Sequence, residues 1–135
     1  KSMSSLNPIR LLVLVSYRFI SEWFMGCDIQ PSTSIGIGLR LFHPSSIAIN
    51  DGCKIGEGVT IRQNTTIGHK YEGGLNPVIG DNVNIGANVC IIGNVHVQGD
   101  NVIGAGSVVT RDVKLGQTVA GNPARLIFSR NENPC

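Results

Sequence analysis

The chain has 135 residues, 17 of them Gly, with 5% aromatic residues, 15% charged residues and a formal net charge of +2. That length suits one domain with a modest core, and the scarcity of aromatics argues against a core of large interlocking side chains. With so small a net charge, no run of Lys or Arg and no interleaved aromatics, a nucleic-acid partner is not expected.

The first apolar stretch, "IRLLVLVSYRFISEWF", is interrupted by Arg10, Arg18 and Glu22. Only seven uncharged residues separate the two arginines, far short of the roughly 20 needed to span a bilayer. It is also too charged and too late for a cleaved signal peptide. Asn7 as N-cap, Pro8 at the first helical position and Gly26 just past the end mark it as a helix. Residues 1–26 are therefore expected to form an N-terminal helical segment that caps the domain. The wide apolar face with Trp23 and Phe24 also suits a peripheral membrane contact.

After Gly26 an aliphatic residue recurs every six positions within three groups: Ile29, Ile35, Leu41; Ile49, Ile55, Ile61, Ile67; and Ile79, Ile85, Ile91, Val97, Ile103, Val109, Leu115. A helix needs a period near 3.6 and an ordinary half-buried strand a period of two. A period of six fits a triangular coil, each hexapeptide forming one flat side and one corner, with stacked coils burying ladders of like residues. The residue after the aliphatic is often Gly, as at Gly36, Gly56, Gly68, Gly80, Gly86, Gly104 and Gly116, as expected for corners with unusual dihedrals. Four after the aliphatic comes a second inward position: Thr33, Cys53, Val59, Thr65, Val83, Val89, Val95, Ser107, Val113 and Val119. About five coils result, an all-β parallel β-helix over residues 27–121, followed by a C-terminal extension, 122–135, that leaves the repeat at "NPARLIFSR". So small a prism is expected to associate, most simply as a trimer.

The rhythm breaks twice. In "LFHPSSIAIN", Leu41 and Ile49 stand eight apart, so two extra residues enter at a corner carrying His43. Asp28 precedes Ile29 and is placed by the coil count at that same corner one turn earlier. A carboxylate beside an imidazole suits direct acyl transfer: His43 takes the proton of an attacking hydroxyl while Asp28 fixes the tautomer and stabilises the imidazolium. Backbone N–H groups at a corner near Gly68 are candidates for holding the oxyanion. The second break, a loop over 69–78, opens with His69, a rival base or a substrate contact. His96 falls on a regular coil and is read as a surface residue.

Ala87 and Ala105 lie 18 residues apart, one full coil, and each follows a Gly, leaving room for a ligand along one edge. Arg111 and Arg125 are candidates for phosphate contacts. Cys27, Cys53, Cys90 and Cys135 form no CxxC pair and stand at no zinc-finger spacing to His, so no metal is expected. Their wide separations do not resemble a secreted disulfide framework, which points to a reducing, cytoplasmic compartment.

The run "VIGDNVNIGANVCIIGNVHVQGDNVIGAGSVVTRDV" followed by "VAGNPARLI" resembles the hexapeptide-repeat acyltransferases. Their fold is a left-handed parallel β-helix, typically assembled as trimers that use acetyl-CoA. Within that group "DIQPSTSIGIGLRLFHPSSIAIN" is most similar to the serine acetyltransferase branch, which also holds bacterial O-acetyltransferases of capsular, O-antigen and exopolysaccharide sugars. The resemblance implies catalytic roles for Asp28 and His43, CoA contacts for Ala87 and Ala105, and active sites between subunits. Serine acetyltransferases carry an Asp just before the catalytic His and a His before the Pro that closes the loop, both linked to serine binding. Phe42 and Asn76 stand there in this chain. The expectation is therefore an acetyl-CoA-dependent O-acetyltransferase acting on a saccharide hydroxyl, with serine as the alternative acceptor. A non-catalytic β-helix is the remote alternative. A zinc-dependent carbonic anhydrase of the same fold would need three converging His, and the chain's only three fall on different corners.

Overall fold

The computed structural model describes residues 7–24 and 26–130. Residues 1–6 and 131–135, and with them Cys135, lie outside the described residues. Each hexapeptide folds as read from its period: two or three residues of strand, a corner, then the next strand.

The strands stack into the three sides of a left-handed β-helix of about five coils. Side A contains β1 (Cys27–Ile29), β4 (Ile47–Ile49), β7 (Thr66–Gly68), β10 (Cys90–Ile92) and β13 (Val108–Val109). Side B contains β2 (Ser34–Ile35), β5 (Lys54–Ile55), β8 (Val78–Ile79) and β11 (His96–Val97). Side C contains β3 (Arg40–Phe42), β6 (Thr60–Arg62), β9 (Asn84–Ile85), β12 (Val102–Ile103) and β14 (Gln117–Ala120). All of these pair in parallel, and the register sets like on like: Ile49 beside Ile67, Ile55 beside Ile79, Ile61 beside Ile85. The core is this ladder of Ile together with the second inward column of Cys53, Val59, Val83, Val89 and Val95, all buried. Most polar side chains in that column are hydrogen-bonded, as buried polar groups generally are, the Thr33 hydroxyl of the first coil being the exception. Thr65 Oγ1 donates to Arg62 O at 2.8 Å, and Asn101 Nδ2 donates to Gln98 O at 2.8 Å while its Oδ1 accepts from Gln117 N at 2.6 Å.

Three expectations need correction. Gly56 and its counterparts at Gly36, Gly80, Gly86 and Gly104 do not serve unusual dihedrals. A Cβ on Gly56 would lie 2.6 Å from Gly80 C and 2.8 Å from Asp81 N, so close approach of adjacent coils is what excludes a side chain. The left-handed residues come two positions later in the corner, at Gly38, Gly58, Asn82 and Gly106. Leu115 is not an inward residue: it is 48% exposed, because the corner after Val109 is short and Val113 takes the side B place beside Val97. Asp28 is not at a corner but in the middle of β1, facing outward and paired with Ala48.

Both ends differ from the middle. The helix α1 (Pro8–Arg18) starts as read from the sequence, Asn7 Oδ1 accepting from Ile9 N at 3.0 Å, and continues as a π-helical segment, Phe19–Phe24. It caps the first coil only in part: Tyr17 Oη donates to Ile29 O at 3.3 Å, yet no residue of α1 is buried. Ile29 and Leu41 are half-buried in consequence and Ile35 is exposed. At the other end β15 (Arg125–Ser129) turns back antiparallel on β14 and covers the edge of side C.

The ladder predicts a sharp contrast in stability. Ile61→Ala, at a site with no exposure, should cost about 2–5 kcal/mol in denaturant unfolding. Ile37→Ala, whose side chain is 84% exposed, should change it by less than about 0.5 kcal/mol.

Candidate active site

Both breaks in the repeat fall at corners bounding side A. His43, Pro44, Ser45 and Ser46 form the corner from side C to side A, with His43 at φ +51 and Ser46 at φ +52. Non-Gly residues rarely take this left-handed conformation, and here backbone contacts hold them in it. Ser45 N donates to His43 O at 2.6 Å, Asn64 N of the next coil donates to Ser45 O at 2.9 Å, and Cys27 Sγ from beneath donates to Pro44 O at 2.8 Å. The imidazole of His43 is left exposed.

The same corner continues up the prism as a column. Asn88 N donates to Gln63 O at 3.0 Å, Asn64 Nδ2 donates to Asn88 Oδ1 at 2.9 Å, and Gly106 N donates to Ala87 O at 2.8 Å. Ala87 and Ala105 therefore stand on the edge that carries His43, two and three strand spacings away, about 10 and 14 Å. Ala105 is exposed and Ala87 half-buried.

Asp28 lies beside this edge on the outer face of side A. Its Oδ1 accepts from Gln30 Nε2 at 3.0 Å, and Gln30 Oε1 in turn accepts from Arg18 Nη1 at 3.4 Å. No hydrogen bond or ion pair joins Asp28 to His43 here. Catalytic hydrogen bonds are often completed only when the substrates are in place.

The loop at residues 69–77 leaves the other edge, between sides A and B. The spacing of Ile67 and Ile79 by a multiple of six is coincidental, since one ends on side A and the other on side B with no coil side between them. His69 is half-buried, with Asn50 Nδ2 2.9 Å from its Nδ1 and 3.5 Å from its Nε2. Reaching both ring nitrogens at once puts the amide against the ring face rather than along a nitrogen lone pair. The foot of the loop is tied down by Cys53, whose Sγ lies 3.8 Å from Asn76 Oδ1 and 3.5 Å from Ile67 O. Gly68 is buried against Asn50, a Cβ there meeting Asn50 Cγ at 2.6 Å, and its carbonyl accepts from Gly93 N at 2.9 Å. Beside the loop, toward the later coils, runs a groove of about 410 Å³ along side A, lined by Lys70, Ile92, Gly93, Asn94, Val108 and Thr110.

Three further placements complete the set. Arg111 and Arg125 line one cleft of about 190 Å³, between the end of side A and β15. Phe42 ends β3 next to His43, half its surface open, with the Arg62 guanidinium 5.7 Å from its ring centre. His96 is exposed on a regular coil, its backbone N donating to Asp112 Oδ1 at 2.8 Å. Sequence reasoning missed Asn50, Cys53 and Arg62 as neighbours of the site. For Asn50 the signal was present, because the 18-residue coil sets it directly beneath Gly68.

Serine acetyltransferase 3, mitochondrial, of Arabidopsis thaliana is 41% identical over 127 residues, 93% of this chain and 32% of that protein. The serine acetyltransferase of Bacillus subtilis is 36% identical over 115 residues, 84% of this chain and 53% of that protein. Among solved structures, soybean serine acetyltransferase superposes with a TM-score of 0.79 at 38% identity, over 87% of this chain and 49% of that one. The coenzyme A complex of the Brucella abortus enzyme gives 0.83 at 31% identity, over 90% and 50%. This is the hexapeptide-repeat acyltransferase fold. The chain spans a third to a half of the length of these serine acetyltransferases, and the similarity is to them rather than to capsule O-acetyltransferases. No family model matches the sequence.

On this acyltransferase scaffold the thiols give a test of the loop's anchoring. Burial pushes the Cys53 thiol up to about 11, and raises Cys27 and Cys90 as well. An unfolded chain releases these protons near pH 9, the folded chain only at higher pH, so above pH 9 ionisation favours the unfolded state. The stability these thiols contribute is whole below about pH 9 and is lost as pH rises toward 11. Melting temperature should fall across that window, and less steeply in Cys53→Val.

Proposed function

We propose that this protein transfers an acetyl group from acetyl-CoA to an alcohol, with His43 as general base. The observation that carries the reading is the single corner column holding His43, Ala87 and Ala105. Small side chains on that edge let the pantetheine arm lie along the coils with its thioester toward His43. The bound coenzyme A of the Brucella abortus relative, whose fold covers 90% of this chain, supports the same ligand here. Arg111 and Arg125, facing one cleft, would meet CoA phosphates.

An alcohol is a poor nucleophile at neutral pH. His43 removes its proton as the oxygen attacks the thioester carbon, and the protonated imidazole then passes the proton to the departing thiolate. Asp28, one strand from Ala48 on the same face, stabilises that imidazolium once its link to Gln30 yields. Backbone N–H groups at the corners beside Gly68 are the oxyanion donors on this reading. His69 contacts the acceptor from the loop rather than acting as base. The active unit is a homotrimer with sites between subunits, in which the flat sides pack together.

For the acceptor, the serine acetyltransferase relatives support L-serine over a saccharide. One observation favours the second reading. Where a serine site would offer a carboxylate and an imidazole, this chain presents the open ring of Phe42, covered on one face by Arg62, and Asn76, whose amide oxygen is engaged by Cys53. A neutral sugar hydroxyl does not need the missing carboxylate.

Thiol release from acetyl-CoA, followed with serine and with a panel of saccharides, decides between the two acceptors. His43→Ala should lower the rate with the true acceptor by about 10²–10⁴-fold. His69→Ala should act mainly on the acceptor KM. A His43→Ala protein with full activity would exclude the mechanism.

A further inference from the structure

The corner that carries His43 is stacked in register: Asn64 N donates to Ser45 O, Asn88 N to Gln63 O and Gly106 N to Ala87 O. One column therefore runs Ser45, Gln63, Ala87, Ala105. The strand pairing of Ile61 with Ile85 agrees, since two residues further on it sets Gln63 beside Ala87. Where the next two coils present a methyl group, the coil adjoining His43 presents the half-buried amide of Gln63.

That amide differs from the other polar groups of the edge. Asn64 Nδ2 donates to Asn88 Oδ1 at 2.9 Å and Ser45 Oγ to His43 O at 3.4 Å, so these side chains find partners within the corner. Gln63 Oε1 is buried and has no hydrogen-bond partner. Among the described residues Thr33 Oγ1 shares that state, but it lies between sides A and B of the first coil, on a different edge. A buried amide oxygen without a donor is unfavourable, and native structures keep few of them. No hydrogen bond holds this oxygen where it lies, and the terminal torsion of a Gln side chain is broad. It can therefore turn to a donor arriving along the edge without breaking a bond.

The place of such a donor follows from the path proposed above for acetyl-CoA, and the inference rests on that reading. With the thioester at His43 and the arm running toward Ala87 and Ala105, the arm passes Gln63 first. Two carbons separate the thioester sulfur from the first amide nitrogen of pantetheine, about 4 Å when extended, and adjacent coils are about 4.8 Å apart. The first N–H of the arm thus comes level with Gln63. We infer that Gln63 binds the acyl donor, its Oε1 accepting a hydrogen bond from the cysteamine amide N–H of acetyl-CoA. The contact sets how far along the edge the thioester lies, and so its register against His43, and takes no part in holding the acceptor.

Gln63→Ala installs the residue that this corner already carries in the next two coils. It should fold, and with an unpaired buried oxygen removed it should melt no lower than the parent. Calorimetric titration with CoA, which has the same amide, should show binding weakened about five- to tenfold, the size expected for one hydrogen bond between neutral groups. In acetyl transfer the variant should lose the same factor in kcat/KM with acetyl-CoA and with S-acetyl-N-acetylcysteamine, which ends at that amide. It should lose none with S-ethyl thioacetate, which lacks the amide, and the KM of the acceptor should not move. A parent protein that does not bind CoA would overturn the acetyl-transfer reading and this inference with it. A parent that binds CoA beside a variant that binds it equally well would overturn this inference alone. So would an equal loss with all three thioesters, which marks general damage to the site, or loss of self-association in the variant, which assigns the oxygen to a second copy.

Discussion

Every feature of this protein depends on coil-to-coil register. A strand of two or three residues is too short to persist alone, and becomes stable only when its N–H and C=O groups pair with the coils above and below while its single inward aliphatic stacks on an identical neighbour. Ile49 on Ile67 and Ile61 on Ile85 are examples. A shift of one residue would expel an Ile and bury its polar neighbour, so the ladder tolerates no change of length within a side. Corners are free of that demand. Extra residues can enter there without disturbing the stack, which is why both insertions, and both histidines that could do chemistry, stand on the edges of side A.

The period of six was enough to read the sides, the inward columns and the position of each break, because burial in a solenoid repeats with the chain. Contacts whose partners come from another coil were less legible. The role of Gly56 is fixed by the backbone of Gly80 and Asp81, 24 and 25 residues away, and a local rule about dihedrals could not find it. Leu115 kept the period but not the place, since a shortened corner had already delivered Val113 to side B. Asp28 was assigned to a corner by counting, whereas pairing with Ala48 puts it within a strand. Only at Leu115 did an exact count mislead because a corner had changed length.

The acceptor question turns on the same distinction. Similarity to serine acetyltransferases reflects the ladder and, on the proposed reading, the edge of His43, Ala87 and Ala105 along which acetyl-CoA would lie. On that reading acceptor contacts would come from corner and loop residues such as Phe42, under Arg62, and Asn76, tied to Cys53. Global identity near 40% over the coils therefore carries more weight for the reaction than for the substrate.

The two histidines are also unequal in chemical terms. A general base needs a nitrogen lone pair open toward the incoming hydroxyl and a path to the leaving group. At His69 the amide of Asn50 lies against the ring, and the residue rides on a loop whose foot is held by Cys53, at the opposite edge of side A from the alanine column. At His43 a left-handed corner, braced from below by Cys27 and from above by Asn64, lifts an open imidazole onto the edge that Ala87 and Ala105 continue. Backbone strain of this kind persists only where the surrounding structure enforces it. Here the enforcing contacts come from the coils on both sides, so the corner that breaks the repeat is held in place by the repeat.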